Sequence, residues 1–161
     1  MAIATATLTS TITDSITLNG STYGNTITKS HTVIKDVLQR TIVVPHDTIT
    51  SLYTVNATEG GSAFSPATMK YARITNTDTS HALSIFIENE AGHEILHKVD
   101  AGCSFIINLH EDSIMAETTD GTDLSGDNDG TYAAGSAAIV SVKAQAFGSA
   151  AVDVEILVAS T

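Results

Sequence analysis

The sequence predicts an all-β fold: a two-sheet β-sandwich of jelly-roll type, with an extended N-terminal strand or arm. Three observations predict it. Apolar residues recur at every second position in run after run, the period of a pleated strand. The runs are short and are cut by Asn-Gly, Gly-Asn, Asp-Ala-Gly and Gly-Ser turn signals at near-regular spacing. No helix of persuasive length emerges anywhere in the 161 residues.

That length fits one domain, or one domain plus an arm, and can bury a core without disulfides. Cys103 is the single cysteine, so no intrachain bridge forms, and a reducing compartment fits. Seven Lys and Arg stand against eighteen Asp and Glu, a net charge of −11. Such a surface repels phosphate backbones and anionic lipid, which argues against nucleic-acid and membrane-surface partners. No apolar run approaches the roughly 18 residues that span a bilayer. The N-terminus MAIATATLTSTI lacks a basic region, and no secretory leader is expected. Thr, Ser, Ala and Gly replace much of the usual charge, which suits close contacts between chains.

Taken in order, residues 1–19 alternate. Leu8, Ile12, Ile16 and Leu18 share one parity, with Thr and Ser on the other. This is an extended strand with one apolar face, and Asp14 is its one charge. Left exposed, such a strand invites pairing, so these four residues are the expected intersubunit interface. Asn19-Gly20 is a tight-turn signal because both residues tolerate positive φ. Two strands follow between Asn25 and Val44, ended by Pro45, and another covers Ile49 to Val55. Asn56 to Pro66 is a loop by composition. Residues 1–56 are therefore read as N-terminal strands or an arm, and 68–161 as the compact sandwich, within one domain overall. Four strands follow from Met69: one to Thr75, one through Leu83, Ile85 and Ile87, one from His93 to Val99, and one through Phe105, Ile107 and Leu109. Two more close the chain, Ile139 to Ala146 and Ala151 to Val158. Gly148-Ser149 is expected to join them as a hairpin.

His93-Glu94-Ile95-Leu96-His97 matches H-E-x-x-H. In zinc proteases two His four apart share a helical face, and the Glu activates the metal-bound water. Here turn signals at Asn89–Gly92 and Asp100–Gly102 leave room for one strand only. On a strand those His stand roughly 13 Å apart, too far for one zinc. Asp100 occupies the place of the Gly that the extended motif requires, and Glu117 is a poor third ligand. The metalloprotease is therefore the lesser reading, and no catalytic residue is assigned.

The stretch Glu111 to Gly130 holds seven carboxylates and no Lys or Arg. Asp120, Asp123, Asp127 and Asp129 are weak calcium candidates, since calcium takes several oxygens. Ser125 to Gly130 imitates the start of an EF-hand loop, but the twelfth position is Ser136 and not Glu. A solvated acidic loop is the default, and no cofactor is expected. His46-Asp47 after Pro45 reads as a turn pair. Four Tyr and no Trp give little support to a sugar-stacking platform, though a carbohydrate-binding sandwich stands as a further alternative.

The wording ARITNTD, ALSIFIENEAG, HKVDAGCSFII and the closing VSVKAQAFGSAAVDVEILVA resembles small β-sandwich virion proteins of tailed bacteriophages. The opening SITLNGSTYGNTIT is similar to the start of such proteins. The resemblance covers most of the chain through short elements. It departs at Cys103, where the family pattern has an acidic or polar residue. It implies a non-enzymatic virion structural protein assembled in the host cytoplasm. The first expectation is a capsid decoration or cement protein, a homotrimer whose partner is the major capsid protein or another virion protein. A head–tail connector, tail or fibre-base component is the alternative.

Overall fold

The computed structural model describes residues 5–56, 60–90, 92, 94–107, 113–115 and 136–161. The described residues form strands, turns and loops, with no helix among them. The fold is all-β, and two sheets pack face to face as a sandwich.

The first sheet is built on β6 (Thr50–Val55), β9 (Ala82–Asn89), β10 (Glu94–Val99) and β13 (Ser136–Phe147), in the order β10-β9-β13-β6. The short β7 (Ala63–Phe64) adds parallel to β6, and β12 (Ser113–Met115) pairs the start of β13. The second sheet contains β5 (Asp36–Val44), β8 (Met69–Asn76), β11 (Ser104–Ile107) and β14 (Val152–Ser160), in the order β11-β8-β14-β5. The chain crosses between sheets at nearly every connection. Among the eight main strands the exception is β9 to β10, a hairpin closed by Gly92 N–H donating to the Asn89 carbonyl at 3.0 Å; the short β7 and β12 also stay in the sheet of β6 and β13. Four strands per sheet in this order are the double Greek key of a jelly roll.

The period-two pattern explains the core. Val152, Val154, Ile156 and Val158 of β14 are all buried, and face inward with Ala72 and Ile74 of β8. Opposite them lie Leu83, Ile85 and Ile87 of β9 with Val142, Ala144 and Ala146 of β13. Leu52, Tyr53 and Val55 of β6 and Val44 of β5 complete the same cluster. Each large side chain buried here contributes roughly 1.5–3 kcal/mol, which is how the body holds without a disulfide. Residues 36–55, grouped with the arm by sequence, thus supply two strands of the sandwich.

The expected hairpin at Gly148-Ser149 is corrected. β13 pairs with β6 and β9, while β14 pairs with β5 and β8. Each strand already has a neighbour on both sides, so neither has an edge to offer the other. Both carry one apolar face, and these faces meet across the core. The link from Gly148 to Ala151 therefore carries the chain from one sheet to the other.

Residues 6–34 stand apart from the sandwich as one long hairpin. β1 (Ala6–Thr13) pairs antiparallel with β4 (Thr26–Ile34), and β2 (Ile16–Leu18) with β3 (Ser21–Tyr23). The same register holds on either side of Asp14-Ser15, with Ile12 opposite Ile27 and Ile16 opposite Tyr23. Asn19 (φ 50°) and Gly20 (φ 80°) make the two-residue turn that the Asn-Gly signal predicts. The opening alternation is thus half of an arm whose return strand is residues 21–34.

Candidate functional site: the arm and the cleft at its root

The hairpin has two unlike faces. Thr pairs line one: Thr11 to Thr28 at 3.3 Å, Thr13 to Thr26 at 3.1 Å and Thr17 to Thr22 at 3.3 Å, hydroxyl to hydroxyl. Cross-strand Thr pairs of this kind reinforce a two-stranded ribbon that has little else to hold it. Register places Leu8, Ile12, Ile16, Leu18, Tyr23 and Ile27 on the other face. At the root that face is seated. Leu8 packs, with Ile106 and Leu157, against the buried Ile34, Tyr71 and Ala159, forming a second apolar cluster on the outer side of the β11-β8-β14-β5 sheet. The His31 ring lies on Tyr71, with centroids 5.9 Å apart. Beyond the root the stripe is bare. Ile12 is 48% exposed, Ile16 61%, Leu18 58%, Tyr23 58% and Ile27 62%. Of the four residues expected at an interface, the structure thus uses Leu8 internally and presents Ile12, Ile16 and Leu18 outward.

A bulge sets the arm's departure from the body. Ala6 pairs with Ile34 but Leu8 pairs with His31, so Thr32 and Val33 together oppose Thr7. Val33 has φ 64°, a left-handed conformation that a β-branched residue rarely adopts. The extra residue bends the strand pair away from the sandwich. Between the arm and the sheet it leaves a cleft of about 410 Å³. Leu8 to Ile12 wall it on one side; Tyr71, Arg73, Ser104, Ile106 and Leu157 form the floor. Arg73 is paired there with Glu155. Burial at the root, aided by Lys29 and Lys70, pushes the His31 imidazole below its ordinary pKa, so it is held neutral.

Charge divides along the same line. Residues 1–34 carry Lys29 against Asp14, a net of zero; the remainder carries six Lys or Arg against seventeen Asp or Glu, a net of −11.

The H-E-x-x-H stretch lies on a strand. Glu94–Val99 is β10, and His93 lies outside the described residues. Glu94 is directed to the outer face, 3.5 Å from Lys143 Nζ, while the His97 ring stacks on Phe105 of the opposite sheet at 4.6 Å. Carboxylate and imidazole therefore leave the strand on opposite sides, and the shared helical face needed by zinc-protease chemistry does not form. The calcium candidates Asp120, Asp123, Asp127 and Asp129 lie outside the described residues, as does Glu117. Among the described residues no group of three or more His, Cys, Asp or Glu is placed to hold a metal ion.

Two features were missed by sequence reasoning. One is the apolar outer patch under the arm. Its signal was present in Leu157 and Ala159, apolar at positions that continue the polar side of β14 after Asp153 and Glu155. The other is Asn76, fully buried, whose Nδ2 donates to the carbonyls of His81 (2.8 Å) and Val99 (3.2 Å). Its Oδ1 accepts from the Asp78 N–H at 3.1 Å. The TNTD wording thus spells a buried knot that ties β8, the following turn and β10 together. No protein-family model, curated protein or solved structure matches this chain.

Proposed function

We propose that this chain is a non-enzymatic virion structural protein, a decoration or cement protein on the shell of a tailed bacteriophage, working as a homotrimer. The single observation that carries the reading is the arm: a hairpin whose apolar stripe is seated on the body at Leu8 and bare from Ile12 to Ile27. A bare stripe of this length is an aggregation hazard unless a partner covers it. Covering it contributes roughly 1 kcal/mol for each half-exposed Ile or Leu, before the cost of association. The jelly-roll body supplies a rigid mount, and the arm the attachment to the major capsid protein or a neighbouring subunit. The sequence resemblance to phage virion β-sandwiches points the same way, with assembly in the host cytoplasm.

The test is occupancy on particles. Ile12, Ile16, Leu18 and Ile27 are replaced together by Thr, which keeps strand propensity and removes the apolar stripe. The variant is expected to fold and to be lost from purified particles. Full occupancy would overturn the reading. Imaging with labelled antibody separates the roles: label over the whole shell supports a cement protein, and label at one vertex a head–tail or tail component.

A further inference from the structure

We infer that the cleft at the arm's root is a socket for the arm of a second copy of this chain. This rests on the assembly role proposed above and names the partner surface within it.

Continuity of the stripe is the first argument. Leu8 already seats on the outer face of the β11-β8-β14-β5 sheet, against Tyr71 and Ala159. That face therefore accepts this side of the hairpin. Ile12 reaches the cleft, but Ile16 and Leu18 lie four and six residues further out, roughly 13 and 20 Å along a strand. They carry the same apolar side of the ribbon past their own sheet, where it is left exposed.

Charge is the second. Two bodies at −11 repel one another, whereas an arm with no net charge meets an acidic body without that penalty. Register sets Lys29 on the apolar side of the arm, between Ile27 and His31. On the outer side of the sheet lie Asp153 and Glu155, the latter already paired with Arg73. Arm-on-body contact is thus the favoured geometry between copies, and body-on-body contact the disfavoured one.

Geometry at the root is the third. The bulge at Thr32-Val33 holds the arm off the sheet and keeps the cleft open at about 410 Å³, room for a few apolar side chains. An arm seated there lies between its partner's arm and its partner's sheet, so each copy both clasps and is clasped.

The chain carries its own probe. Cys103 is exposed and adjoins Ser104 on the cleft floor. Full-length Leu18→Cys and Thr17→Cys proteins are treated with a short bismaleimide, each with Cys103 present and with Cys103→Ser. Leu18 is on the apolar side of the arm and Thr17 on the threonine side. The expected result is a dimer band in which mass spectrometry finds position 18 joined to Cys103 of another chain. It should exceed the Thr17→Cys product by about tenfold, since seating raises the effective concentration of the two thiols toward millimolar. Cys103→Ser should abolish it. A monomeric chain without the 18–103 link, or equal linking from position 17, would overturn the inference. If that happens while the four-Thr variant is still lost from particles, the arm docks on another virion protein and the proposed function stands without the socket. If the link forms but the four-Thr variant keeps full occupancy, the socket stands and the proposed function fails.

Discussion

Gly24 stands so close to Asp14 across the arm that no side chain fits at position 24. A Cβ there would lie 2.7 Å from the Asp14 carbonyl carbon and 2.9 Å from Ser15 Cα, and nearer still to the Asp14 oxygen. Its φ of 144° is also a conformation that L-residues avoid. Gly24→Ala is therefore expected to weaken the outer hairpin by about 1–3 kcal/mol while the sandwich keeps its midpoint. Hydrogen exchange checks this: faster exchange should be confined to Ile16–Tyr23.

Val33 is the opposite case, a side chain where glycine would be easier. Its left-handed φ of 64° costs energy, and half of the side chain is exposed. Val33→Gly should therefore stabilise the arm root by about 1 kcal/mol, the relieved strain exceeding the added backbone entropy. Exchange at Leu8 and His31 should slow. Val33→Pro, with φ locked near −65°, should release the arm and expose Tyr71.

Asn76→Ala should cost the body about 2–4 kcal/mol, because the buried carbonyl of Val99 and the turn carbonyl of His81 lose their donor. The denaturation midpoint should fall while the slope with denaturant stays the same.

Acid should act on both parts of the molecule. The Glu88 carboxylate accepts from Lys143 Nζ and Ser141 Oγ, each at 2.7 Å, and these bonds hold its pKa below the usual range. Backbone N–H groups of His81 and Ser80 do the same for Asp78. A carboxyl whose folded pKa is depressed contributes stability above its unfolded value, about 4, and loses it as pH falls through the folded value. Glu88→Gln should thus be less stable than the parent at neutral pH and converge with it in acid. His31, held neutral at the root, favours the folded state above about 6.5; its contribution declines as pH drops below that and the unfolded chain takes up the proton. The root should loosen in mild acid, before the sandwich fails, and NMR titration of His31 should give a midpoint below the ordinary one.

Strand positions and faces were legible because the pleat writes itself at period two. Leu8, Ile12, Ile16 and Leu18 do share a side, and Asn19-Gly20 does close a two-residue turn. Partner choice was not legible where it depends on distant chain. Gly148-Ser149 has the composition of a hairpin, yet β13 and β14 face each other across the core, because Ile156 takes Arg40 and Ile74 as neighbours. A local turn signal reports that the chain reverses, not whether it reverses within a sheet or between sheets. The cleft was hidden for the same reason, since its floor comes from β8, β11 and β14 and its wall from β1. The zinc motif resolved the other way: the turn spacing around it was a local fact, and a strand is what formed.

The placement of β14 between β5 and β8 has a kinetic side. Its pairs with β5 join residues more than a hundred positions apart, Val152 with Val44 and Ser160 with Asp36, whereas the arm is closed by neighbours such as Leu18 and Ser21. Local pairing forms fast and distant pairing slowly. During synthesis the arm can zip while the second sheet still lacks its middle strand, so the sticky element is ready before its mount exists. A chain broken ahead of Val152 loses the centre of a sheet and not an edge. Only a chain carried through β14 has a finished body, which makes that strand a checkpoint on which chains fold.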